Sequence, residues 1–150
     1  MSRKRAKGYR AERELVELLW RLGFAVMRAP ASGAKIKKAD YPDVVAILKG
    51  KVAVFEVKSR AKLENIYIGK EQTQKLLNFA RRAGGIPYIA VRLPHIGWKF
   101  IKLDVNTEVN NTLKIDKETI EKAPNIAGVL ADLNITKTLD TYLKQQLNTY

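Results

Sequence analysis

The chain has 150 residues, 46% of them hydrophobic and 29% charged, and its 28 Lys/Arg against 15 Asp/Glu give a formal net charge of +13. That length suits one domain able to bury roughly 68–70% of its unfolded surface, so the fold needs no staple. Cysteine is absent, which excludes a disulfide scaffold, a Cys-ligated zinc site and a thiol nucleophile. No apolar run reaches the length of a membrane span, and no unbroken apolar segment follows the basic start. The expectation is a soluble cytoplasmic protein with no membrane partner.

Residues 1–8, "MSRKRAKG", read as a flexible basic arm. A helix follows over 9–23, stopped by Gly23. At about 100° per residue, Ala11, Leu15, Val16, Leu18, Leu19, Trp20 and Leu22 share one broad arc. Arg10, Arg13, Glu14, Glu17 and Arg21 share the opposite side, but Glu12 falls inside the apolar arc. Two readings stand for Glu12: a functional carboxylate, or an acid tolerated by the helix N-terminal dipole.

A strand, "FAVMRA", and a loop rich in small residues and Lys, "PASGAKIKKADYP", come next. "DVVAIL" and "VAVFEVKS" are two strands joined at Lys49-Gly50-Lys51. Residues 70–83 form a second helix closed by Gly84-Gly85, before strands "PYIAVRL" and "WKFIKL". His95, in the intervening "PHIG", reads as a loop residue, Arg81-Arg82 as a solvated helix end, and Trp98 and Phe100 as core. Helices on the faces of a mixed central sheet bury this order most simply, an α/β architecture. Beyond residue 104, "DKETIEKA", capped by Asp116, and "ITKTLDTYLKQQL" look helical. Residues 9–103 thus form the core domain. Residues 104–150 form an extension that packs on it or binds a replication or recombination partner.

The charge is unevenly placed. Residues 1–62 hold 16 Lys/Arg and 6 Asp/Glu, residues 63–100 hold 6 and 2, and residues 101–150 hold 6 and 7. Clustering of this kind suits a polyanion, most often nucleic acid, better than mere solubility.

Within the hairpin, Val52, Val54, Glu56 and Lys58 alternate with Ala53, Phe55 and Val57, so Glu56 and Lys58 share a face. Pairing centred on Gly50 sets Asp43 opposite about residue 57, close to both. Two adjacent carboxylates repel, and a divalent cation relieves that repulsion. Mg²⁺ accepts one or two carboxylates plus a phosphate oxygen. A lysine there can orient a water or stabilise charge on phosphorus. The bland alternative is an ordinary Glu56–Lys58 ion pair.

"PD" at 42–43 and "EVK" at 56–58 resemble the PD-(D/E)XK nuclease pattern of restriction and repair enzymes. "KGYRAERELVELLWRLGFAVMRAPASG", "FARRAGGIPYIAV" and "GWKFI" extend the likeness to the archaeal Holliday junction resolvases of the Hjc and Hje type, over residues 7–103. The resemblance implies a homodimer of restriction-endonuclease-like fold that uses Mg²⁺, or Mn²⁺, to nick two opposed strands of a four-way DNA junction. It implies catalytic roles for Glu12, Asp43, Glu56 and Lys58, with Asp43 and Glu56 holding metal and Glu12 binding it through water or holding a second ion, and places Ser32 near the scissile phosphate. Arg13 and Arg28 match residues that face DNA. Arg10 beside them, and Lys35, Lys37 and Lys38 of the variable-length loop, complete the DNA-binding candidates. Two rivals stay open: another nuclease of the same superfamily, and a non-catalytic nucleic-acid-binding module.

Overall fold

The computed structural model describes residues 2–29, 40–135 and 143–144. Its elements are α1 (Arg3–Arg21), β1 (Ala25–Arg28), β2 (Val44–Leu48), β3 (Lys51–Ser59), β4 (Ile66–Ile68), α2 (Lys70–Ala83), β5 (Ile86–Leu93), β6 (Gly97–Lys102), β7 (Leu113–Ile115), α3 (Lys117–Lys122) and α4 (Ile126–Asp132). Five strands form one sheet in the order β1-β2-β3-β5-β6. The β3–β5 pair is parallel and the other three pairs are antiparallel. A parallel pair needs a crossover, and α2 supplies it.

Side-chain alternation along β3 divides the core in two. Ala53 and Phe55 pack with Leu15, Leu19 and Leu22 of α1 and with Ile126, Val129 and Leu130 of α4. Val54 packs with Leu76 and Ala80 of α2, with β4 and β7, and with Ile120 of α3. The central strands, covered on both faces, therefore read as near-continuous apolar runs. Phe55 stacks on Tyr88 at 5.5 Å between ring centroids and meets Phe100 edge-on at 5.8 Å. Phe100 lies in the core as expected, and half-buried Trp98 stacks on it at 6.0 Å.

Three differences from the sequence reading have physical causes. First, residues 3–8 are no arm: they are the opening turns of α1, capped by the Ser2 hydroxyl, which accepts from the Arg5 amide at 3.2 Å. Second, Trp20 is 66% exposed, since it sits at the edge of the apolar arc where the sheet no longer reaches. Third, the hairpin turns on two residues, Lys49 and Gly50, both at positive φ (49° and 82°), the twist that tight hairpins favour. Leu48 pairs with Lys51 and Val44 with Phe55, so the register carries Asp43 to a point opposite Glu56 rather than Val57. A one-residue slip would have turned Asp43 to the other face of the sheet.

Residues 104–135 are integral to the fold. β7 pairs with β4, which no apolar run announced, and α3 is capped by Asp116, whose carboxylate accepts from Thr119 at 2.8 Å. The short helix α4 was not anticipated either. Its Asp132 accepts a 2.6 Å hydrogen bond from the Tyr88 hydroxyl, tying it to the sheet. Tyr88→Phe deletes that bond and is expected to cost about 1.5 kcal/mol, read as a lower urea midpoint at unchanged m-value. Of the final helix expected over 135–147, only Ile135, Leu143 and Lys144 are among the described residues, and the last two are exposed. No described helix is long and apolar enough to cross a membrane.

Candidate active site

The site forms where the hairpin of β2 and β3 opens at its ends. The backbone N–H of Asp43 donates to Phe55 at 3.0 Å, continuing the ladder one step past Val44. Its carboxylate then turns inward and accepts from the Val57 amide at 2.8 Å. A side chain thus replaces the next ladder carbonyl, fixing the acid to within one rotamer. Glu56, the directly opposed residue, is 9% exposed and lies beside Asp43.

Two buried acids in contact are costly. Burial, and then the Asp43 charge, push the Glu56 carboxyl up from 4.5 to about 7, against a smaller opposing pull from Lys58. Asp43 is also raised by burial, with the Val57 amide and Lys58 acting the other way. Lys58 Nζ lies 3.4 Å from Glu56 Oε1 and donates to Gln72 Oε1, at the start of α2, also at 3.4 Å. An ammonium carries three donors. Two are engaged, and the third has no partner among the described residues. Lys58 also lines an adjoining cleft of about 510 Å³.

Glu12 reaches the same region from α1, on the other side of the sheet. Burial and the Asp43 charge raise its carboxyl to about 7, and Arg28, at 3.8 Å, pulls it back. Arg28 in turn lies 5.9 Å from the centre of the Tyr9 ring, a cation–π contact. Glu12 therefore senses Asp43 but is engaged with Arg28. Among the described residues no three acidic or histidine side chains come together closely enough to hold one ion. Asp43 and Glu56 thus adjoin, while Glu12, expected to join them on a metal directly, through water or with a second ion, is engaged by its arginine.

The remaining predicted residues separate. Arg13 is exposed on α1, and Arg10, also exposed, pairs with Glu14 at 3.6 Å. Ser32, Lys35, Lys37 and Lys38 lie outside the described residues. Sequence reading missed Gln72, because a glutamine in the exposed first turn of a helix carries no signal of its own. It also placed Glu14 with the solvated charges, whereas Glu14 accepts a 2.9 Å hydrogen bond from Arg92 of β5. Nothing short of the strand order brings residues 14 and 92 together.

Comparisons with known proteins point to one family. The family model described as archaeal Holliday junction resolvase (hjc) matches residues 3–138. Crossover junction endodeoxyribonuclease Hjc of Sulfurisphaera tokodaii is 40% identical over 95% of this chain and 100% of its own length. The Sulfolobus acidocaldarius protein of the same name is 37% identical over the same shares. The solved structure of Archaeoglobus fulgidus Hjc, a Holliday junction resolvase, superposes with a TM-score of 0.69 at 31% identity, covering 83% of this chain and 96% of that one. The likeness therefore runs past residue 104, where the sequence reading had ended it, through β7, α3 and α4. With a family model over most of its length and full-length relatives of one name, the chain belongs to the archaeal Holliday junction resolvase (Hjc) family.

Proposed function

We propose that this chain is a structure-selective endodeoxyribonuclease that resolves four-way DNA junctions by nicking two opposed strands, with Mg²⁺ as cofactor and Mn²⁺ as a substitute. The observation that carries the reading is the buried, mutually repelling pair Asp43–Glu56 beside a lysine with a spare donor.

The pair fits a divalent cation on its own chemistry. Both acids resist ionisation where they are buried, and a cation would stabilise the charged form of both at once. Asp43 and Glu56 would hold the ion, with phosphate and water oxygens completing its shell. Bound there, the ion supplies Lewis acidity toward the scissile phosphate. The protein's own residues do the positioning. The Val57 amide fixes Asp43, Glu56 and Gln72 hold Lys58, and the third Lys58 N–H orients the attacking water or a non-bridging phosphate oxygen. Glu12 acts from outside the pair and holds Arg28 toward the DNA.

Arg13 and Arg10, exposed on α1, contact phosphate, as do Lys35, Lys37 and Lys38, while Ser32 lies at the scissile phosphate. One such site cuts one strand. Paired cuts in a two-fold symmetric substrate call for two sites, so the working form is a homodimer. Any recombination or replication partner would bind through the C-terminal extension, of which residues 104–135 pack on the core.

The decisive test compares cleavage of a four-way junction with that of a linear duplex of the same sequence, with Mg²⁺ and with chelator. Metal-dependent, junction-selective, paired nicking is expected. Equal rates on both substrates would sink the resolvase reading and leave a general nuclease.

A further inference from the structure

One concavity adjoins the site and a second continues it, and both are basic. The first, the cleft of about 510 Å³ that reaches Lys58, is lined by Lys4, Lys7, Arg60 and Glu64 as well. The second, of about 310 Å³, is lined by Lys7, Arg10, Glu14, Arg60 and Arg92. They share Lys7, Ser59 and Arg60, so they form one trough.

The fold explains why the charges meet there. Ser59 pairs with Arg92 at the carboxyl ends of the parallel strands β3 and β5, and the Arg60 amide continues the ladder by donating to Arg92 at 3.0 Å. The first turns of α1 run over this edge and add Lys4 and Lys7. Because residues 3–8 are helical, these lysines stand one turn apart on one side, fixed beside the strand ends.

Glu14 shapes the far end. Its two carboxylate oxygens hold Arg10 at 3.6 Å and Arg92 at 2.9 Å. Arg92 also donates to the Leu93 carbonyl at 2.7 Å, so its guanidinium is immobilised before any ligand arrives. One acid between two arginines leaves a positive surplus, Lys4 and Lys7 add to it, and Arg60 shares its charge with Glu64 at 3.9 Å. Fixed cations in a concave row that begins at the Lys58 side chain suit a polyanion with regularly spaced charges.

We infer that this trough seats the phosphodiester backbone of one junction arm on the side of the scissile phosphate away from Asp43. Lys4, Lys7, Arg60 and Arg92 are then the residues that contact it, and Glu14 is the positioning residue that holds Arg10 and Arg92. The inference rests on the nuclease reading above and adds to it the path of the bound strand. Contacts of this kind fix register on the nucleic acid and carry no base sequence.

The test measures junction affinity against salt, in Ca²⁺ or chelator so that no cleavage occurs. Lys4→Ala/Lys7→Ala removes two exposed side chains with no core contact, and Arg92→Ala and Arg60→Ala probe the strand ends. Each lost phosphate contact lowers the slope of log K against log salt by about 0.9. The double lysine variant is therefore expected to lose about 1.8 of slope, and each arginine variant about 0.9. Lys114→Ala/Lys122→Ala, which removes equal charge outside the trough, should leave the slope unchanged. Glu14→Gln tests positioning: it should weaken junction binding despite removing a negative charge.

Where Arg92→Ala unfolds the protein, the lysine pair alone decides. If wild type binds and cleaves junctions but the lysine and control variants share one slope, the trough inference falls and the nuclease reading stands. A wild-type protein that neither binds nor cleaves junctions overturns the nuclease reading first.

Discussion

Replacing Glu56 by Gln, or Asp43 by Asn, abolishes strand cleavage and leaves four-way-junction binding essentially intact. Each change keeps the size and hydrogen-bonding shape of the side chain and removes only its charge. The Val57 amide still finds an acceptor at position 43, so the end of the hairpin stays formed. What is lost is half of the paired anionic donor set. The loss in rate should exceed ~10³-fold, well beyond the ~10–100-fold typical of a group that merely supports a metal ligand. Lys58→Ala should also lose cleavage, because it removes the cation that Glu56 and Gln72 hold against the pair. The measurements are single-turnover cleavage and gel-shift affinity for the same junction. Loss of binding together with cleavage would recast the pair as structural.

The metal-free protein loses stability as pH rises from about 4.5 to about 7. Glu56 carries a carboxyl raised to about 7 in the fold, against 4.5 in the unfolded chain. Between those values the folded chain holds a proton that the unfolded chain has released. The native state then binds more protons, so the free energy of unfolding falls as pH increases. A shift of that size corresponds to about 3 kcal/mol at pH above 7. Glu12, raised to the same region by burial and by Asp43, adds in the same direction.

Glu56→Gln removes the charge and should be more stable than wild type at pH 8 in chelator, and closer to it at pH 5. Mg²⁺ should reverse the ranking by binding only the wild-type pair. Thermal unfolding at pH 5 and pH 8, with and without Mg²⁺, gives the answer. A wild-type melting temperature that is flat across that range would show the acids to be better solvated than their burial implies. The site on this account is a local weakness that the cation repairs, which is how a functional site departs from the stability rules obeyed by the rest of the sheet.

Much of this was legible in the residues. The helix over 70–83 follows from its apolar spacing and the Gly84 stop, and it is found at Lys70–Ala83. The five sheet strands follow from apolar runs bounded by turns, most clearly in the central strands, which are covered on both faces. Asp43, Glu56 and Lys58 stood out because a charge inside such a run has to be compensated. β4, β7 and α4 did not stand out. Each is three to seven residues long, too short for a period to show, and each is held by distant partners: Ile66 against Ile115, Asp132 on Tyr88.

The sequence by itself determined the chemistry on offer: a basic chain without cysteine, with an acidic pair and a lysine on two strands joined by a short turn. Only the tertiary structure decided how that chemistry is divided. It put Asp43 opposite Glu56 because Lys49 and Gly50 alone make the turn, and it held Glu12 apart from them on Arg28. It also joined Glu14 to Arg92 and brought Lys4 and Lys7 over the strand ends, contacts whose sequence separations no local pattern encodes. The reason is physical: periodicity reports which face a residue takes, whereas strand order and helix docking decide which residues from different elements share that face.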